Sequence, residues 1–425
     1  MSRKILFQNF FSLSIFQIAN YILPLITVPY IVRIIGAEKF GLISFAQAFV
    51  AYFILIVNYG FNLSSTREIS IYRHDSKKVS EIFSATLTSK FILFAISTLL
   101  YTIILLMVKK FNANFLLHLI VYVSVIGEVL LPVWLFQGLE KLKLVAFFNF
   151  AVKLIFTFSV FVFLKSENQY LLVPASLSLA QLIVSISALL YALNYLKVRF
   201  ILPHKENVLH ALKSGKEIFA STIVINFYTT SNTVILGFFA PSDRVGYFAA
   251  GVKLISAVQG LLLYPLNQTL YPYLSKEFHL SKWEGFNKLK KITLVVGFTT
   301  LLISLVIYFF AKPLVLIFLG EKFYNSISVV KIISFFPFII GLSNIFGIQG
   351  MLNLKMDNHF LLITSIGAIL NFALNFILAP IYAEIGTAIS WLITEVYITL
   401  SCALVLILKN KDFVFNHRVT EHYIS

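Results

Sequence analysis

Four ionisable residues lie well inside long apolar runs of this chain: Glu128, Lys153, Lys253 and Glu395. A charge in hydrocarbon is expensive, so such groups face a water-filled cavity or a partner. For the two glutamates the structural alternative to a cavity role is pairing with a lysine. Lys253 and Lys331 sit near the ends of their runs, where snorkelling of the ammonium to the membrane surface is the alternative. Lys90, within two turns of the opposite end, is expected to snorkel as well. Polar residues also fall into stripes. Gln17, Asn20, Pro24 and Thr27 follow at i, i+3, i+7 and i+10. Asn226, Thr229, Thr230, Thr233 and Gly237 follow at i, i+3, i+4, i+7 and i+11, and Lys253, Ser256, Gly260, Tyr264, Asn267 and Tyr271 form a third series. Each stripe is one face of a helix. Small and polar residues at this spacing serve plain helix packing or line a hydrophilic cavity, and three such stripes together favour the cavity.

The elements that must carry these residues are set by composition. The 425 residues are 59% hydrophobic and 12% charged, about half the charged fraction of a soluble domain. Mean hydropathy is +0.88. Apolar runs of about 20 residues span a bilayer as helices, since every backbone polar group must be satisfied within the segment. Twelve spans are expected, at 11–33, 42–61, 85–108, 115–136, 144–164, 170–195, 217–239, 247–271, 292–311, 331–351, 359–380 and 387–408. The longest stretches between them are 62–84, 196–216 and 272–291, too short for a soluble catalytic domain. The segment 312–330 is amphipathic and is expected at the outer interface. Arg3 and Lys4 precede the first run as in a signal peptide, but the run is too long and lacks a small-residue cleavage site, so it is expected to be retained.

The net charge of +16 would suggest nucleic acid in a soluble protein. Here it follows membrane topology: with both termini inside, 22 Lys and Arg fall on the cytoplasmic side against 8 outside, as the positive-inside rule requires. The basic loops are therefore expected to touch lipid headgroups, not nucleic acid. Cys402 is the single cysteine and excludes an internal disulfide. No GxxxxGK[ST] run, HExxH pair or metal-ligand spacing of His and Cys occurs, so no nucleotide, metal site or other cofactor is expected.

The two halves repeat. Shifted by about 205 residues, Lys39-Phe40-Gly41-Leu42 meets Arg244-Val245-Gly246-Tyr247. Shifted by about 212, Phe136-Gln137-Gly138-Leu139 meets Ile348-Gln349-Gly350-Met351. Six spans per half make the halves parallel, related by an axis along the membrane normal. The expected fold is all-α and integral to the membrane: twelve transmembrane helices in two six-helix bundles, residues 1–200 and 201–425.

The ordered series Pro24, Pro29-Tyr30, Arg33, Gly36, Glu38-Lys39-Phe40-Gly41, Asn58-Tyr59-Gly60-Phe61 and Thr66-Arg67-Glu68 resembles the Wzx-type O-antigen flippases, the polysaccharide-export branch of the multidrug-exporter superfamily. In the second half Gly246-Tyr247-Phe248, Lys253, Tyr271-Pro272-Tyr273-Leu274-Ser275, Gly320-Glu321, Gln349-Gly350, Asn371, Asn375 and Glu395 carry the same resemblance. It implies a central cavity between two bundles of multidrug-exporter type, and an undecaprenyl-diphosphate-linked oligosaccharide moved from the cytoplasmic to the periplasmic leaflet of the bacterial inner membrane. It further implies a glycan polymerase and a chain-length regulator as partners. On this reading Arg33, Lys153 and Lys253 contact phosphate or glycan, and Asn20, Asn226 and Thr230 bind sugar hydroxyls. Glu128 and Glu395 couple an ion, H⁺ or Na⁺, or pair with a lysine. One departure stands out: where relatives carry Asp before an ILG-like run, this chain has Asn232, which cannot titrate. A multidrug exporter of the same fold is the first alternative, but its pore would favour carboxylates, and here lysines outnumber acids within the spans. A glycan polymerase or ligase would need large outer loops with catalytic Arg or His, and a passive assembly scaffold would not need the polar stripes. The chain is expected to be a transporter and not an enzyme.

Overall fold

The computed structural model describes the backbone over residues 3–410. It describes side chains over 22–410, apart from Ser221, Val224, Ile225, Phe227, Tyr228, Tyr264, Pro265 and Gln268. The described residues are almost entirely helical and contain no strand. Nine helical stretches among them are long and apolar enough to cross a membrane. Two are broken internally. The Arg3–Asn58 stretch breaks at Gly36 (φ 70°, ψ 179°), a conformation glycine reaches at no steric cost. The Asp357–Lys409 stretch breaks at Ala383 (φ 48°, ψ −125°), three residues after Pro380. Both breaks fall where the apolar pattern places a turn between two spans. Pro132 similarly separates the Phe115–Leu130 and Val133–Gly138 helices.

The expected linker 196–216 differs from its sequence reading. Its second half is helical from Lys205 and forms the first turns of the Lys205–Phe239 helix. The reason is amphipathic: Val208, Ala211, Leu212 and Gly215 recur at i, i+3, i+4 and i+7, and all are at least half-buried. They give a basic segment an apolar face. Gly215 closes onto the hairpin turn, where an added Cβ would lie 2.5 Å from the Tyr59 carbonyl oxygen. The Tyr59 ring stacks on Phe219 with centroids 4.5 Å apart.

The chain forms two compact units. The first comprises residues 1–250 together with Ile317–Phe323. At one end of it Trp134, Phe136 and Phe83 are fully buried with Ile69 and Leu135. Towards its other end Phe45, Phe49, Phe53, Tyr101, Phe111 and Tyr122 stack around a buried His118. The tightest approach in this unit joins the two turns that the repeat made equivalent. A Cβ on Gly246 would lie 2.0 Å from the Ala37 carbonyl oxygen, and one on Gly41 would lie 1.7 Å from the Ser242 carbonyl oxygen. Each turn therefore packs backbone to backbone on the other, which only glycine permits.

The second unit comprises residues 251–316 and 324–425. Its helices include Lys282–Phe309, a π-helical turn at Asn344–Leu352 and both arms of Asp357–Lys409. The two glutamines that the 212-residue shift aligns both take a polar contact within their own unit. Thr66 Oγ1 lies 3.4 Å from Gln137 Oε1 in the first unit, and Gln349 Nε2 donates to Asn267 Oδ1 at 3.4 Å in the second.

Candidate functional site

The polar interior of the first unit centres on Glu128. Asn58 Nδ2 donates to its Oε1 at 2.9 Å, and Gln181 Nε2 donates to its Oε2 at 3.1 Å. Lys90 Nζ donates to its backbone carbonyl oxygen at 2.6 Å. That last bond has a cause in the sequence. The carbonyl of Glu128 would normally accept from the residue four positions on, but that residue is Pro132, which has no N–H. The helix carbonyl is left without an intrahelical partner, and a cation at a helix C-terminus is favourable. Lys90 supplies both donor and charge. It is 1% exposed, so it does not snorkel as its position in the apolar run suggested. Burial is tolerated because the helix end and the hydrogen bond meet the ammonium, with the Glu128 carboxylate near enough to act on it through space. The Glu128 carboxylate is thus held by Asn58 and Gln181, while Lys90 meets the same residue at its backbone carbonyl and forms no salt bridge with the carboxylate among the described residues. Neither amide stood out in the sequence, whereas the Glu128–Pro132 spacing was a readable signal for an orphan carbonyl.

Around the first hairpin, Thr27 is fully buried, and its Oγ1 lies 2.9 Å from Thr157 Oγ1. Tyr30 donates to the Leu164 carbonyl oxygen at 2.9 Å and packs on Phe161. This end of the Gln17–Thr27 stripe is thus a helix contact with Leu142–Phe163. Lys153 is half-buried one turn from Thr157, on the same face of that helix, and its ammonium or stem is engaged in the structure. Asn20 and Gln17 lie outside the described side chains. Arg33 is exposed, and its guanidinium donates to the Ile317 carbonyl oxygen. The Ile317–Phe323 strap turns at Gly320 (φ 87°) beside the Arg33 side chain. Its Phe323 ring is fully buried between Phe40 and Tyr247. The expected outer amphipathic segment is therefore fastened at its middle to the first hairpin.

The ladder on Lys205–Phe239 is half-buried at Asn226, Thr229, Thr230 and Thr233. Asn226 Nδ2 donates to the Thr222 carbonyl oxygen of its own helix at 2.9 Å, the local back-bonding such residues use when no distant partner is taken. The neighbouring face, Ser231 and Asn232, is the buried one. A cavity of about 120 Å³ is lined by Lys110, Asn114, His118 and Ser242, among others. Lys110 Nζ donates to the Ala240 carbonyl oxygen at 3.3 Å, and burial lowers its pKa from the ordinary lysine value.

In the second unit Lys253 is exposed and has no hydrogen-bond or ion-pair partner among the described residues. Glu395 is 5% exposed and accepts from Trp391 Nε1 at 3.0 Å. The facing arm of the same helical stretch contributes Asn371, whose Nδ2 donates to Thr394 Oγ1 at 3.3 Å, and Asn375, which bonds back to Asn371. Glu395 thus ends a buried seam of amides and hydroxyls, with indole as its recorded partner and no salt bridge to lysine among the described residues.

The chain matches a family model described as polysaccharide biosynthesis protein over residues 6–278. It is 34% identical over 407 residues to a protein of Escherichia coli (strain K12) named "Putative O-antigen transporter", covering 96% of this chain and 98% of that one. Among solved structures it is similar to the lipid II flippase MurJ in an inward closed conformation, with a TM-score of 0.70 and 15% identity over 94% of this chain and 88% of that one. It is also similar to an inward-facing multidrug resistance MATE family transporter of the MOP superfamily, with a TM-score of 0.66 and 12% identity over 94% and 95%. At these identities the two structures speak to the fold alone.

Proposed function

The chain belongs to the polysaccharide biosynthesis protein family, and on that footing we propose that it is a flippase for undecaprenyl-diphosphate-linked oligosaccharide, the repeat unit of O-antigen or capsule. The observation that carries the proposal is the 34% identity that runs along nearly the whole chain to the Escherichia coli protein named "Putative O-antigen transporter". The chain is a transporter and a multi-pass membrane protein, placed in the inner membrane with both termini cytoplasmic. It carries twelve helices in two bundles, residues 1–200 and 201–425, that rock about a central site. A glycan polymerase and a chain-length regulator take the product on the far side.

The physical task is to take a diphosphate across a medium of low dielectric. Two unit charges about 4 Å apart attract by roughly 4 kcal/mol at an effective dielectric of about 20, so a few well-placed cations offset much of the desolvation. Lys253, exposed and unpartnered among the described residues, is free to do this. Lys153 and Arg33 are assigned the same role, Arg33 after release of the strap. Asn20, Asn226 and Thr230 are assigned to sugar hydroxyls. The polyprenyl tail stays in the bilayer. Ion coupling falls to Glu395 in preference to Glu128, whose oxygens are already bonded to Asn58 and Gln181.

The test is reconstitution into vesicles with a defined undecaprenyl-diphosphate glycan and a leaflet-accessibility assay. The wild type should move glycan to the opposite leaflet, and Lys153→Ala and Lys253→Ala should lower the rate at least tenfold at equal protein level. Wild-type rates in both variants would remove the lysine assignment, and no transport by the wild type would remove the function.

A further inference from the structure

A larger cavity than the one beside His118 lies in the first unit, lined by none of the residues assigned to translocation. It measures about 780 Å³ and is walled by the Phe61–Ile71 helix, the start of Ser76–Met107 and the first turns of Lys205–Phe239. That size is in the range of pockets that hold organic ligands. Its floor is apolar and closed: Ile82, Ala85 and Ala211 are buried, and Thr86 is fully buried on Ser65 at 2.9 Å. The charged groups around it are unequal. Lys78 is bound to Glu81 at 3.1 Å, and Glu68 is held by His210 Nδ1 and Ser214 Oγ, each at 3.4 Å. Arg67 and Glu206 also line the cavity, are exposed, and have no partner among the described residues. One guanidinium and one carboxylate at the cavity wall are therefore free of protein partners among the described residues and open to a ligand.

The outer rim adds a third requirement. Leu63, Arg67 and Ile71 stand at i, i+4 and i+8, so apolar, cationic and apolar side chains share one helix face. Leu63 and Ile71 are 64% and 63% exposed. Two bare aliphatic side chains flanking an unpaired arginine suit a ligand whose charged head is joined to a hydrocarbon tail. The cavity also lies where the basic segments 62–84 and 196–216 meet, the segments whose lysines and arginines the positive-inside rule assigns to the cytoplasmic face.

We propose that this cavity binds the headgroup of a membrane lipid that carries both a phosphate and hydrogen-bond donors. The phosphate sits on Arg67, as a planar guanidinium favours, the donors face Glu206, and the tail runs along Leu63 and Ile71. Two lipids supply this chemistry: phosphatidylethanolamine, through its ammonium, and a polyprenyl-diphosphate glycan, through its hydroxyls. The second source rests on the flippase reading and would make the cavity a loading site that precedes translocation; the first does not depend on it.

Because Cys402 is the sole cysteine and is buried, Leu63→Cys places one reactive thiol at the rim. The full-length variant in nanodiscs of phosphatidylcholine is labelled with a water-soluble maleimide while either phosphatidylethanolamine or undecaprenyl-diphosphate-linked N-acetylglucosamine is added. At about twice its dissociation constant a bound lipid slows labelling about threefold, and extra phosphatidylcholine, which lacks donors, does not. Arg67→Gln in the same background should remove the protection, Arg67→Lys should retain part of it, and Glu206→Gln should weaken it. Protection by phosphatidylethanolamine identifies a structural lipid site, and protection by the polyprenyl lipid identifies a loading site; both support the proposal. No protection by either lipid, or undiminished protection in Arg67→Gln, overturns it. The assay reads equilibrium binding without transport, so its failure leaves the leaflet assay standing, and failure of that assay leaves this one.

Discussion

The knot between Lys90 and Glu128 gives the sharpest quantitative test of the structure. Lys90→Met keeps the aliphatic stem but removes the donor 2.6 Å from the Glu128 carbonyl oxygen. A hydrogen bond to a charged group contributes about 1.5–3 kcal/mol, and stripping one partner from a buried charge pair costs about 3–5 kcal/mol. Since Asn58 and Gln181 still hold the carboxylate at 2.9 and 3.1 Å, the loss should fall near the lower end, about 3 kcal/mol. Glu128→Gln leaves the backbone carbonyl in place for Lys90 but takes away its counter-charge, at a cost of about 2 kcal/mol. The double variant is neutral and should be less destabilised than the sum, with a coupling of about 1–3 kcal/mol. Pro132→Ala restores an N–H four residues after Glu128, so in that background Lys90→Met should cost less. Unfolding in mixed micelles with rising dodecyl sulfate, read through tryptophan fluorescence, measures all five variants, because Trp134 is fully buried two residues after Pro132. Additivity within about 0.5 kcal/mol would refute the charge coupling. An undiminished Lys90→Met penalty in the Pro132→Ala background would refute the orphan-carbonyl argument.

Other contacts give further expectations. Gly246→Ala, with its Cβ 2.0 Å from a backbone oxygen, should cost about 1–3 kcal/mol in thermal unfolding. Gly251→Ala, whose nearest neighbour is a Val329 methyl at 3.2 Å, should cost under about 1 kcal/mol, and equal losses would contradict the close-approach reading. Arg33→Gln should release the strap, raising maleimide labelling of an added Leu319→Cys, a strap position 2% exposed, several-fold; an unchanged rate would leave Phe323 alone as the fastening. Lys253→Ala should leave unfolding within about 0.5 kcal/mol of wild type, since the ammonium has no partner among the described residues. A large loss there would mean that the lysine is structural.

The candidate site was legible in part, and the misses have physical reasons. Helical spacing marks which residues share a face but not what the face meets. Thr27 therefore read as cavity wall or helix contact, and the structure resolves it as a contact with Thr157. Lys90 read as a snorkelling lysine because its depth along the span was visible and its partner, 38 residues away in sequence, was not. The 780 Å³ cavity leaves no mark in the sequence because its walls come from three segments, one of them a basic linker whose helical face, Val208, Ala211 and Gly215, is defined by what it packs on.

By itself the sequence determined the membrane solvent, the helical class, the breaks at Gly36 and near Pro380, and the equivalence of the turns at Gly41 and Gly246. These are local or periodic properties: apolar length, backbone freedom and spacing survive without a partner. The tertiary structure alone decided which polar groups are already satisfied and which remain open. The Glu128 carboxylate is closed by Asn58 and Gln181, Lys90 is spent on the Glu128 backbone carbonyl, Arg33 is engaged with the strap, and Lys253, Arg67 and Glu206 are left unpaired among the described residues. That division depends on distances of a few ångström between segments far apart in the chain, and the chemistry open to a buried charge depends on it.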